Sequence, residues 1–331
     1  SSTWVALIHN ASEEIQVNEV ELRQDTLVLR MPLFDSEFRG VVRNDSTIEG
    51  SWYNHLKGPD YQIPFRATAG AQPRFRGPAN GVGGFSGTWE VHFSSGTKDA
   101  YPAIGMFQQQ PNGGVTGTFV TETGDYRFLE GTVHADSMQL SCFDGSHAFL
   151  FAAKLHADSM VGRFWSGSHW QEPWVAYRNP TFALRDPDSL TFLKEGYDMA
   201  DFSMPGLDGR PLSPRDPEFK NKVLLVQVMG SWCPNCVDET RLLNDLYGSY
   251  AEQGLEVIAL AFEKYPDPQK AVDALKRFKK NLGIQYHLAY AGMASKELAA
   301  AQLPFLERVM SFPTCVFVDR RGKVLRIRTG F

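Results

Sequence analysis

Residues 222–239 read KVLLVQVMGSWCPNCVDE. The run "VLLVQVM" (223–229) suits a central strand buried on both faces. A Gly-Ser turn follows, then a tryptophan and two cysteines three apart, with Glu239 three residues past the second. Downstream, Leu243, Leu246, Tyr247 and Tyr250 fall at i, i+3, i+4 and i+7, one face of a helix. "LEVIALAF" (255–262) reads as a second buried strand, and Ala271, Leu275, Phe278 and Leu282 mark the next amphipathic helix. "SKELAAAQL" (295–303) is strongly helix-prone. "TCVFVD" and "KVLRIR" flank a turn at Arg321-Gly322 and predict a hairpin. The layout is α/β, expected over residues 198–331.

Residues 1–180 have a different grammar. Short runs such as "LVLRMPLF", "GTWEVHF", "GVTGTFV" and "AFLFAAKL" are separated by Gly, Asn, Asp and Ser turns. "HADSMQL" at 134 and "HADSMVG" at 156 are near copies, and "NDSTIEGSW" at 44 resembles "ADSMVGRFW" at 157. Each copy reads as an Asp-Ser turn feeding a strand, so an all-β antiparallel domain is expected, barrel or sandwich. The Pro- and Asp-marked stretch at 181–197 reads as a linker.

Two domains also follow from length, since 331 residues exceed what one core usually supports. The net charge of −5 argues against nucleic acid as the main partner. Residues 1–185 hold 14 Lys+Arg against 19 Asp+Glu, so the β half carries the whole net charge. No run of about 18 apolar residues exists to span a membrane. The chain opens at Ser1 without a charged and then apolar signal segment, as a processed secreted protein or a cytosolic fragment does.

Four cysteines are too few for a disulfide-built scaffold, so the role of Cys233 and Cys236 is local. A sulfur at a strand-to-helix junction faces the free N–H groups and positive end of the helix. That setting favours thiolate and lowers a cysteine pKa from about 8.5 toward neutrality. Cys236, one turn on, reaches back to close a disulfide. Pro234 falls in the first turn, where its missing N–H costs nothing. A half zinc site lacks a second C-x-x-C or a pair of histidines, and a passive disulfide is the other bland reading.

"WCPNC" after an apolar strand resembles the thioredoxin superfamily. With "DFSMPGLDGRPLS" (201–213) and "SFPTCVFVDRRGKV" (311–324), it resembles the TlpA/ResA-like extracytoplasmic thiol–disulfide oxidoreductases. That resemblance implies a thioredoxin fold with Cys233 as attacking and Cys236 as resolving thiol. It implies a cis-proline at Pro313 against the pair, Phe312 backbone pairing with an extended client, and Trp232 and Pro234 beside it. It makes Glu239 the carboxylate that tunes the pair, and places Gln227 beneath the site. The redox-active disulfide Cys233–Cys236 is then the only cofactor. The implied partners are a disulfide-containing client protein and a membrane thiol donor, in a bacterial periplasm. Two departures stand out: Arg241 occupies the place of a helix-kinking proline, and a chain ending at "RTGF" is expected to lack the closing helix. A peroxiredoxin is disfavoured, since Gly230 stands where its threonine belongs.

Other residues read more blandly. Cys142 and Cys315 are expected as buried, inert cysteines. His134, His147, His156 and His169 crowd into 36 residues, yet copying accounts for two of them without a metal. Trp52, Trp89, Trp165, Trp170 and Trp174 are expected to fill a β core rather than line a pocket. The expected function is a protein disulfide reductase. A binding protein acting through its β domain, or a disulfide oxidase or isomerase, are the alternatives.

Overall fold

A computed structural model describes residues 4–75 and 83–331; Ser1 lies outside them. The chain separates into two compact units, Ser1–Thr121 with Asp125–Leu184, and Glu122–Gly124 with Arg185–Phe331.

In the second unit the apolar runs form a five-stranded sheet. Its strands are β1 (Val223–Met229), β2 (Leu255–Glu263), β3 (His287–Met293), β4 (Thr314–Val318) and β5 (Val324–Thr329), in the order β3-β2-β1-β4-β5. β1 pairs parallel with β2 and antiparallel with β4. Strands buried on both faces explain the unbroken apolar sequence. Three helices connect them: α1 (Pro234–Tyr250), α2 (Pro268–Asn281) and α3 (Lys296–Gln302). Asp267 caps α2 and Ser295 caps α3, each accepting from a first-turn N–H.

The buried stripe of α1 differs from the expected one. It runs through Cys236, Val237, Glu239, Thr240 and Leu243, whereas Tyr250 is exposed. Burial is concentrated in the half of the helix nearest the cysteines, and Leu246 and Tyr247, farther along, are only half-buried. The helix runs unbroken past Arg241.

Residues 185–197, linker-like in composition, are tied into this unit. Leu193 bridges Leu306, Lys194 N donates to Phe305 O (2.8 Å), the Thr191 and Thr329 hydroxyls meet at 2.7 Å, and Arg326 pairs with Asp188 at 2.6 Å. Fully buried Leu190 anchors the segment.

The first unit answers the barrel-or-sandwich question with a closed barrel and a separate sheet. Eight antiparallel strands follow in chain order: Gly87–Phe93, Tyr101–Gln109, Gly114–Thr121, Leu129–His134, Ser137–Phe143, Ala148–His156, Ser159–Ser166 and Trp170–Arg178. The last pairs back onto the first, which closes the ring and removes its edges. Alternate residues point inward. Trp89, Val91 and Phe93 are fully buried, and Phe119 and Phe151 stack at 4.6 Å, as do Phe151 and Phe164 at 4.4 Å. Trp174 packs on Phe119 at 5.2 Å. The lumen is therefore an aromatic core. Trp52 is buried elsewhere, in a smaller core with Val17 and Met31, under a five-stranded sheet spanning Glu19 to Thr68. Trp165 is half-buried and Trp170 exposed.

In both near copies the two-residue turn is Ala-Asp rather than Asp-Ser. His134 pairs Ser137 and His156 pairs Ser159, leaving Ala135 (φ 50°) and Ala157 (φ 51°) in left-handed conformation and the serine opening the next strand. In the third copy, Asn44 pairs Thr47 and the turn is Asp45-Ser46.

Candidate active site

β1 ends at Met229, and the chain must reverse into α1 within four residues. Gly230 permits this. A Cβ there would sit 2.2 Å from Trp232 Nε1 and 2.8 Å from Phe262 O, closer than packed atoms approach. Cys233 takes the N-cap position, and its sulfur accepts from Cys236 N at 3.3 Å. Pro234 opens the helix, buried, where no N–H is needed. Cys233 is 8% exposed and Cys236 fully enclosed, and the structure presents both as free thiols. Burial, first of all, pushes the Cys236 thiol well above its ordinary value, and neighbouring Cys233 adds to it.

The Phe312–Pro313 peptide is cis. Phe312 O lies 3.6 Å from Cys233 Sγ, and the Phe312 ring meets Trp232 edge-on at 5.8 Å. Trp232 is held by its own N–H, which donates to Phe262 O at 2.9 Å. Cys233, Trp232, Pro234, Phe312 and Pro313 thus converge from the α1 N-terminus and the start of β4.

Glu239 is buried on the inner face of α1. Gln227, from β1, gives its amide to Glu239 Oε2 (2.9 Å) and to Cys236 O (3.3 Å), while Thr240 Oγ1 donates to Gln227 Oε1 (3.2 Å). Burial raises the Glu239 pKa to about 7, opposed by the Gln227 hydrogen bond and by Arg328.

A second buried carboxyl was not singled out from sequence. Glu263 closes β2, fully buried, and accepts from Ser231 N and Ser231 Oγ, both at 2.8 Å. Burial raises its pKa to about 7 also, against those two hydrogen bonds. Next to it, Lys264 places Nζ 4.0 Å from the centre of the Trp232 ring. One signal was available: "AFEK" ends a buried strand at its carboxyl end, where α/β sheets carry their sites.

The remaining candidates fall elsewhere. Cys315 and Cys142 are buried free thiols, and burial raises both pKa values. His147 pairs with Asp144 at 3.0 Å and His169 with the Tyr61 hydroxyl at 3.2 Å. Among the described residues, no group of three or more His, Cys, Asp or Glu side chains is arranged to hold a metal, and no helix is long and apolar enough to cross a membrane.

A CxxC pair at a strand-to-helix junction, facing a cis-proline, defines a thioredoxin-type site. Residues 196–327 match the AhpC/TSA family. The thiol–disulfide oxidoreductase ResA of Bacillus thuringiensis subsp. konkukian is 30% identical over 131 residues, covering 40% of this chain and 67% of that protein. The thioredoxin-like protein YneN of Bacillus subtilis is 28% identical over 138 residues, 42% of this chain and 73% of YneN. A thioredoxin-family thiol:disulfide interchange protein from Chlorobium tepidum is 24% identical, with a TM-score of 0.33, over 40% of this chain and 86% of that structure. Residues 1–195 lie outside the family match. Through its C-terminal region the chain belongs to the ResA-like thiol–disulfide oxidoreductases, and it is a protein thiol–disulfide oxidoreductase.

Proposed function

We propose that the protein reduces disulfides of client proteins outside the cytoplasm, in a bacterial periplasm, and is itself re-reduced by a membrane thiol donor. The observation that carries this reading is Cys233 at the helix N-cap, its sulfur 3.3 Å from Cys236 N and 3.6 Å from the carbonyl preceding the cis-proline. The Cys233 thiolate attacks one client sulfur, forming a Cys233–client disulfide and releasing the other client sulfur as thiolate. Cys236 then gives up its proton and attacks the Cys233 sulfur, which releases the second client thiolate and leaves the Cys233–Cys236 disulfide. Two electrons pass to the client. Glu239, linked to Cys236 through Gln227, is the carboxylate that takes the Cys236 proton. Trp232 and Phe312 wall the groove in which an extended client lies.

Insulin reduction by the wild type, with Cys233→Ala and Cys236→Ala as controls, tests the reading. Turnover lost in both variants supports it, and absence of wild-type turnover defeats it in favour of a binding role for the β unit. Equilibration with glutathione tests direction, because a potential near about −120 mV marks an oxidase.

A further inference from the structure

Lys264 is half-buried, and among the described residues it makes no ion pair or hydrogen bond. Its ammonium rests on the Trp232 indole at 4.0 Å. That indole is itself fixed, by its N–H on Phe262 O (2.9 Å) and by the edge of Phe312 at 5.8 Å. Cation–π contact offsets only part of the ammonium's lost hydration. Burial pulls the Lys264 pKa down, while Cys233 and Glu263 electrostatically favour the charged form. The nearest carboxyl, Glu263, is turned onto both donors of Ser231. From α1 come Cys236 and Glu239, the latter held by Gln227 and under the influence of Arg328. The two buried carboxyls at the pair are thus each turned onto a group of the protein, whereas Lys264 has no such partner among the described residues.

We infer that Lys264 is a specificity-determining residue, making the approach to Cys233 electropositive so that the site prefers client disulfides with an acidic residue beside the cystine. The inference rests on Cys233 being the attacking thiol. A carboxylate flanking the client's sulfur meets the ammonium on the face of Trp232 as the sulfur meets Cys233.

The test uses the full chain carrying Cys236→Ser, which stops at the mixed disulfide. Two cystine peptides differing only in Glu or Gln next to the reacting cysteine are compared at low and high salt. The expected result is a preference for the Glu peptide of roughly threefold to tenfold at low salt, shrinking as salt rises, as for one added charge pair at a partly exposed site. Lys264→Gln abolishes the preference and Lys264→Arg retains it. A variant that merely loosened Trp232 would slow both peptides equally. Equal rates for the two peptides in the Lys264 protein, or a preference that survives Lys264→Gln, overturns the inference. Mass spectrometry locating the adduct on a cysteine other than Cys233 overturns the site assignment, and the inference with it.

Discussion

Gln227 and Glu239 are joined across the sheet–helix interface by a 2.9 Å hydrogen bond, Nε2 donating to Oε2, directly beneath the cysteine pair. The amide donates to the carboxyl instead of competing with it for a proton, so Glu239 has no second carboxyl hydrogen-bonded to it from β1. This relationship shapes the first two predictions.

Glu239 and Glu263 are held in the fold with pKa values near 7, above their ordinary value of 4.5. A carboxyl whose pKa rises on folding contributes stability that is complete below about 4.5 and is lost as pH climbs through 7. The reduced protein is therefore expected to lose stability between pH 5 and pH 8. Glu239→Gln should flatten that decline by about 2–3 kcal/mol, measured by denaturant unfolding across the range. Parallel pH profiles for the two proteins count against a buried, raised Glu239. In disulfide reduction the same variant should be roughly tenfold to a hundredfold slower, with the loss in the resolving step.

Gln227→Leu removes the hydrogen bond that favours ionised Glu239. The pH midpoint assigned to Glu239 should then move up, because the charged form loses more from the missing donor than the neutral form does. Thr240 Oγ1, which donates to Gln227, is left without its acceptor, adding about 1–3 kcal/mol of destabilisation. A midpoint that stays put or falls, read from the pH dependence of the resolving step, contradicts the assignment.

Gly230→Ala places a methyl group against Trp232 Nε1 and Phe262 O. The backbone carbonyl gives little, so the indole must move and its hydrogen bond to Phe262 breaks. Destabilisation of about 1–3 kcal/mol is expected, with a changed tryptophan emission. Unchanged emission together with unchanged stability would show that the turn tolerates a side chain.

In the barrel, buried Glu172 accepts from Ser94 Oγ (2.6 Å), the Tyr101 hydroxyl (2.7 Å) and Trp170 Nε1 (3.2 Å). Burial first, and then the facing Tyr126 hydroxyl, drive the Tyr101 pKa far upward, so Tyr101 stays a neutral donor. Glu172→Ala leaves the donors without their carboxylate and should cost about 2–4 kcal/mol, whereas Glu172→Gln keeps one acceptor oxygen and should cost less. Guanidinium unfolding of the two variants checks the order, and a reversed ranking would show that the network does not hold the barrel end.

Sequence by itself determined the strand and helix order of the second unit, because unbroken apolar runs and period-3.6 burial are local properties of neighbouring residues. It also placed Cys233 at a helix start, since a buried strand ending in Gly-Ser must turn there. Only the tertiary structure decided which residues surround that sulfur. Phe262, Glu263 and Lys264 reach it because β2 lies parallel to β1, and Phe312 because β4 lies on the other side; such pairings join residues 30 to 80 apart and leave no periodic trace between them. Barrel closure has the same origin, as it depends on Gly87–Phe93 meeting Trp170–Arg178 and not on the alternation within either strand. The stretch at 181–197 looked like a linker for the converse reason: its Pro and Asp residues describe the local backbone, while one buried leucine and a few long-range bonds decide where residues from 185 onward are held.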